Sequence, residues 1–115
     1  MKSLLVIDDE TMILDTMKII FEDMGYGVAT FADSRAGVAE ALRSDYDLIV
    51  VDIRMPGLNG AEVTEMVMKE RPAARILVIT AFPNDPLAQR ALAAGAFALL
   101  RKPFEIAKVL DFLKG

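Results

Sequence analysis

Four apolar runs in this chain end on, or just short of, side chains that could do chemistry. Leu4–Ile7 runs into Asp8-Asp9, Leu48–Val51 into Asp52, Ile76–Ile79 into Thr80, and Phe97–Leu100 stops just short of Lys102-Pro103. Carboxylates brought together repel, so one must take a proton or a cation must join them. Mg2+ suits such a group because it is hard, oxygen-seeking and usually held by one or two carboxylates with waters and phosphate oxygens. Lys102 would add a fixed positive charge and Thr80 a hydroxyl donor. A metal, an ammonium and a hydroxyl around one carboxylate favour a phosphoryl group beside it. An aspartate can itself be the nucleophile and become an aspartyl phosphate.

These groups meet only if their runs lie side by side with their tips at one edge. Helical patterns separate the runs. Ile13, Met17, Ile20, Phe21 and Met24 recur at spacings of three and four, with Gly25 as a stop. Val38, Ala41 and Leu42 mark a second helix, opened by Ser34 or Asp33 as a cap. Val63, Met66 and Val67 mark a third, ended before Arg71-Pro72. Pro86 opens an alanine-rich fourth that closes at Gly95, and Ile106, Val109, Leu110 and Leu113 mark the last. A weaker run, Val28–Phe31, has the look of an edge strand. Strict β–α alternation with short connections predicts an α/β domain: an open, doubly wound, five-stranded parallel sheet with helices on both faces. In such sheets ligands sit outside the carboxyl ends of the strands.

A chain of 115 residues, 54% of them hydrophobic, is expected to form a single domain over 1–115. Acids outnumber bases, 17 to 13, for a net charge of −4, and the basic residues are scattered apart from Arg101-Lys102. Direct nucleic-acid binding is therefore not expected. With no histidine the chain lacks the commonest general base, and it cannot be a phosphohistidine donor. No apolar run approaches the roughly eighteen residues of a membrane span, so no membrane association is expected. Acids follow the N-terminal apolar run at once and no small-residue cleavage site appears, which makes it a strand and the cytoplasm the default location. The absence of cysteine adds nothing about redox compartment.

Each candidate also has an ordinary role. Asp8 and Asp9 could simply cap a helix, Asp52 could be a turn acid before Pro56-Gly57, Thr80 suits any strand end, and Lys102 alone would be a solvated lysine. The methionines read as core filler and surface. Ala88, Ala91, Ala93 and Ala94 are either good helix formers or a face that a partner could approach closely.

Taken together and in order, the segments "VIDDE", "VVDIRMPGLNG", "VITA" and "GAFALLRKPF" resemble the receiver domain of two-component response regulators over essentially the whole chain. The resemblance implies a flavodoxin-like sheet of strand order 2-1-3-4-5. It implies that Asp52 is the phosphoacceptor, that Mg2+ is bound directly by Asp9 and through water by Asp8, and that Asp52 and the backbone carbonyl of Arg54 complete the protein ligands. Thr80 and Lys102 would contact the phosphoryl oxygens, with the Lys102-Pro103 bond often cis. Pro56, Gly57 and Gly60 match the loop after the phosphoacceptor. The implied partners are a histidine kinase or phosphotransfer protein as donor and an output domain or target protein as receiver of the signal, in a phosphorelay. A phosphorylation-dependent homodimer through the fourth helix, fifth strand and fifth helix is common in the family and is left open here, as is whether the chain is complete or part of a longer protein.

The magnitudes suit a switch. Reversing a population takes about 5.5 kcal/mol, and two charge-assisted contacts give roughly 3–6 kcal/mol before ordering costs. One position departs from the pattern: Leu99 stands where the family usually has Tyr or Phe, and Phe97 lies two residues farther from Lys102. The signal is accordingly expected to pass through the fourth helix and fifth strand without a ring flip. Arg54 and Phe82, two residues after Asp52 and Thr80, are expected to obstruct an attacking water and lengthen the phosphorylated state. Two other functions fit these residues less well. A degenerate receiver acting only as a binding module is disfavoured by the intact acids, Thr80 and Lys102. An aspartate-nucleophile phosphatase characteristically needs a second aspartate where Arg54 stands. The absence of a "GxxxxGK" loop gives nucleotide hydrolysis no support.

Overall fold

In the computed structural model, which describes residues 1–115, strands and helices alternate as the patterns predict. The order is β1 (Ser3–Ile7), α1 (Thr11–Asp23), β2 (Gly27–Phe31), α2 (Ser34–Arg43), β3 (Leu48–Asp52), α3 (Gly60–Glu70), β4 (Ile76–Thr80), α4 (Pro86–Ala94), β5 (Ala98–Arg101) and α5 (Ile106–Lys114). All neighbouring strands pair in parallel, in the order β2-β1-β3-β4-β5. This is the doubly wound, flavodoxin-like sheet expected.

Alternation along the strands sorts the core into two layers. Leu5, Ile7, Val51 and Val78 point to the side covered by α2, α3 and α4, where they meet Val38, Val63, Val67 and Ala91. Leu4, Val6, Val50 and Ile79 point the other way, toward Leu14, Met17 and Phe21 of α1 and Val109 and Leu113 of α5. With both faces covered, β3 and β4 are buried at every residue. The edge strand β2 is half-buried throughout, as its weaker run suggested.

Helix starts follow the cap chemistry. The Asp33 side chain accepts from Arg35 N–H at 3.0 Å to open α2, and Asp85 accepts from Leu87 N–H at 2.9 Å just ahead of Pro86 in α4. At α3, Asn59 and Glu62 form a reciprocal capping box. The helix therefore begins earlier than the stripe from Val63 suggested.

Three apolar residues sit elsewhere than the periodicity placed them. Met24 is the C-cap of α1 and about half exposed, so the buried stripe is Leu14, Met17 and Phe21. Met66 is 41% exposed on the outer side of α3. Phe97 precedes β5 rather than opening it, as the run Phe97–Leu100 suggested. Its ring packs edge-on against Phe112 at 5.4 Å, with the Arg75 guanidinium 4.7 Å from its centroid. The ring thus lies at the end of the sheet opposite Thr80.

Candidate functional site

Strand register brings the reactive residues level. Ile7 pairs with Val51, Asp52 with Ile79, and Thr80 with Arg101, so Asp8, Asp52, Thr80 and Lys102 emerge at one carboxyl edge. Lys102 N–H extends the ladder by donating to Thr80 O at 2.8 Å, and the Lys102-Pro103 bond is cis. Gly60 closes the loop after Asp52. A Cβ there would lie 2.6 Å from Asp52 O and 2.8 Å from Ile53 Cα, both backbone atoms that cannot give way.

The Lys102 ammonium is the hub. Its Nζ lies 2.6 Å from Glu10 Oε1, 3.2 Å from Asp52 Oδ2 and 3.4 Å from Asp8 Oδ2. Asp8 is fully buried, and although Oδ1 accepts from Glu10 N–H at 2.9 Å, Oδ2 has no hydrogen-bond partner. Burial, reinforced by the Asp52 charge, pushes the Asp8 carboxyl up to about 7 against the help of Glu10 N–H and Lys102. Burial raises Asp52 as well, with Lys102 opposing it. For Lys102, burial works against the charge, but the Glu10 hydrogen bond and the charges of Asp52 and Asp8 prevail and raise its pKa.

The three carboxylates within 4.8 Å of one another are Asp8, Glu10 and Asp52. Sequence reasoning singled out Asp9 instead of Glu10. Asp9 is exposed and lines the 250 Å³ cleft above Asp52, together with Glu10, Arg54, Thr80, Phe82 and Lys102. Glu10 was legible only as the third acid of "DDE", and nothing in its spacing said that it would bend back onto Lys102.

Thr80 is buried, and its hydroxyl is engaged with the following loop. It accepts from Phe82 N–H and donates to Phe82 O, both at 3.1 Å. The Phe82 ring stands 70% exposed at the cleft rim. Arg54 N–H approaches Asp52 Oδ1 at 3.4 Å, and the Arg54 carbonyl accepts no backbone hydrogen bond. The Arg54 side chain turns away from Asp52 to form a two-pronged pair with Asp85, Nε to Oδ2 at 2.8 Å and Nη2 to Oδ1 at 2.9 Å. Asp85 was missed as part of the site. Its only sequence signal was its place before Pro86, which marks a cap.

The arrangement offers a buried carboxylate at a sheet edge, a neighbouring ammonium, further acids and a hydroxyl on a loop. The chain as a whole has known relatives. The family model for the response regulator receiver domain matches residues 4–114. The transcriptional regulatory protein FixJ of Bradyrhizobium diazoefficiens is 34% identical over 100 residues, 87% of this chain and 49% of FixJ. The chain thus spans about half the length of that curated relative. A crystal structure of a CheY-like response regulator receiver domain protein from Methanospirillum hungatei superposes with a TM-score of 0.93 at 32% identity, covering 99% of this chain and 91% of that one. The response regulator TrrA of Thermotoga maritima, in complex with Mg2+-BeF, gives 0.84 at 29% identity, covering 99% and 97%. Matched in fold and over nearly its full length, the chain belongs to the response regulator receiver domain family.

Proposed function

We propose that residues 1–115 act as a single receiver domain whose Asp52 accepts a phosphoryl group from the phosphohistidine of a kinase or phosphotransfer partner. Receiver domains are regulatory phosphoacceptors of two-component signalling rather than conventional enzymes. The observation that carries the reading is the contact of Lys102 Nζ with Asp52 Oδ2 at 3.2 Å beside the buried Oδ2 of Asp8, which accepts no hydrogen bond and has only the ammonium at 3.4 Å. That oxygen, in a cluster of three carboxylates, fits Mg2+. Asp8, Asp9, Asp52 and the Arg54 carbonyl would hold it. When bound, the ion neutralises the crowded carboxylates and stabilises charge on phosphoryl oxygens.

The chain's own residues do the rest. An Asp52 carboxylate oxygen forms the new O–P bond while the donor's N–P bond breaks, and the imidazole leaves with that electron pair. Lys102 compensates the charge that arrives on Asp52. Thr80 can exchange its bond to Phe82 O for a phosphoryl oxygen, drawing on the β4–α4 loop. Phe82 at the rim, and Arg54 beside it, narrow the approach of a hydrolytic water. The output follows through α4, β5 and α5, with Leu99, packed on the α2–α4 side of the sheet, in place of an aromatic. An output domain or a target protein receives the signal, and a phosphorylation-dependent homodimer through that face is one form it can take.

The test is intact mass after incubation with acetyl phosphate, with and without Mg2+, for the wild type and Asp52→Asn. The expected result is a Mg2+-dependent gain of one phosphoryl group, absent from the variant. No gain under any condition would reduce the domain to a protein-binding module.

A further inference from the structure

The cleft above Asp52 is lined by two cations, Lys102 and Arg54, and only one of them is committed to it. Lys102 is already shared among Glu10, Asp52 and Asp8. Arg54 begins beside the carboxylate, its N–H 3.4 Å from Asp52 Oδ1, yet its guanidinium is spent on Asp85. The two ends of that pair are unlike. The Arg54 side chain is 66% exposed and held only by Asp85, while the Asp85 side chain is 4% exposed and sits at the N-cap of α4.

We propose that the Arg54 guanidinium is a further phosphoryl-binding group, held in reserve by Asp85, and that its transfer to phosphorylated Asp52 frees the first turn of α4. This rests on Asp52 being the phosphoacceptor. Phosphorylation adds about one negative charge and three strong acceptor oxygens at a carboxylate. Guanidinium recognises such oxygens with two parallel hydrogen bonds, as it now recognises Asp85. Its three-carbon stem, rooted two residues after Asp52, gives it the freedom to turn into the cleft. Asp85 would then keep only the Leu87 N–H, and a nearly buried carboxylate without its cation is costly until water reaches it. The two hydrogen bonds that tie the start of α4 to the loop after Asp52 would be gone, leaving that first turn free to move. The β4–α4 loop is held at its other end by Thr80 on Phe82, so the same event that recruits Thr80 would release both of its anchors. That offers a route to α4 needing no aromatic ring at Leu99.

The probe is beryllofluoride with Mg2+, titrated into the wild type, Asp85→Asn, Arg54→Ala and the double variant, read by the backbone amide and Arg Nε–H resonances. Asparagine still caps α4 but releases the guanidinium. Asp85→Asn is therefore expected to bind the mimic about fivefold more tightly or better. The gain should vanish in the Arg54→Ala background, and the wild-type Arg54 Nε–H resonance should shift on binding. Wild-type binding with no gain in Asp85→Asn, an equal gain in both backgrounds, or an unmoved Arg54 resonance would overturn the proposal alone. A wild type that takes neither beryllofluoride nor acetyl phosphate would overturn the phosphoacceptor reading, and this one with it.

Discussion

Burying Asp8 with no hydrogen bond on Oδ2 makes its charge depend on Lys102 and on pH. The carboxyl moves from an ordinary 3.8 to about 7 in the fold, so between those values the folded chain keeps a proton that the unfolded chain has lost. Its contribution to stability is full below pH about 4 and is lost as pH rises through about 7. In metal-free buffer the melting temperature of the wild type, relative to Asp8→Asn, should fall from pH 4 to 7; a constant difference would refute the assignment. Referencing to the variant cancels carboxyls that behave oppositely, such as Asp85, which its Arg54 hydrogen bonds hold below the usual range. Removing the hub has a larger effect. Lys102→Ala leaves Asp8, Glu10 and Asp52 facing one another, and should cost about 3 kcal/mol in urea unfolding at pH 8, less at pH 5. That Asp8, Asp52 and Lys102 would meet at one edge was legible because each closes or follows an apolar run. Glu10 and Asp85 were not, because their importance lies in where flexible or capping side chains reach across loops.

The elements hold the site through contacts between neighbours in space. Ser34, the first residue of α2, donates to Pro56 O at 3.1 Å and accepts from Leu58 N–H at 2.8 Å, pinning the loop that follows Asp52. Ser34→Ala would leave the buried Leu58 N–H unpaired, an expected loss of about 1–2 kcal/mol in chemical denaturation. Gly37 lets α2 lie close on β1, since a Cβ would meet Ile7 Cγ1 at 2.7 Å and Cδ1 at 2.8 Å. Alanine in a helix gains about 1 kcal/mol over glycine, but overpacking a closed core costs about 1–3 kcal/mol. Gly37→Ala is therefore expected to lower stability despite its better propensity, and a higher midpoint in urea would contradict that close approach. Pro86 and Gly95 bounded α4, and helix periodicity found α2 and α5. It overran α1 at Met24 and overlooked the Asn59–Glu62 box, because a stripe marks what is buried, not where the backbone is capped. An apolar run could not tell that Phe97 leaves the sheet for Phe112, since pairing and packing both favour such residues.

For the molecule as a whole, metal and fold should be linked. Ligand at tenfold its Kd stabilises by about 1.4 kcal/mol, or roughly 5 °C for a domain of this size. Mg2+ is thus expected to raise the melting temperature above that in EDTA, with the effect shrinking below pH 7 as Asp8 holds its proton. Asp9→Asn should remove most of that rise and Glu10→Gln little of it; the reverse result would assign the ion to Glu10. No helix is long and apolar enough to cross a membrane. The sequence by itself determined the β–α alternation, the two-faced sheet and the edge on which Asp8, Asp52, Thr80 and Lys102 gather, because burial on both sides forces continuous apolar strands whose polar ends must leave the core. Only the tertiary structure decided which acid Lys102 holds closest, that Arg54 is clamped by Asp85, and that Phe97 stands apart from the site. Those outcomes depend on side chains meeting across long sequence separations, where reach and competing partners, not periodicity, select the contact.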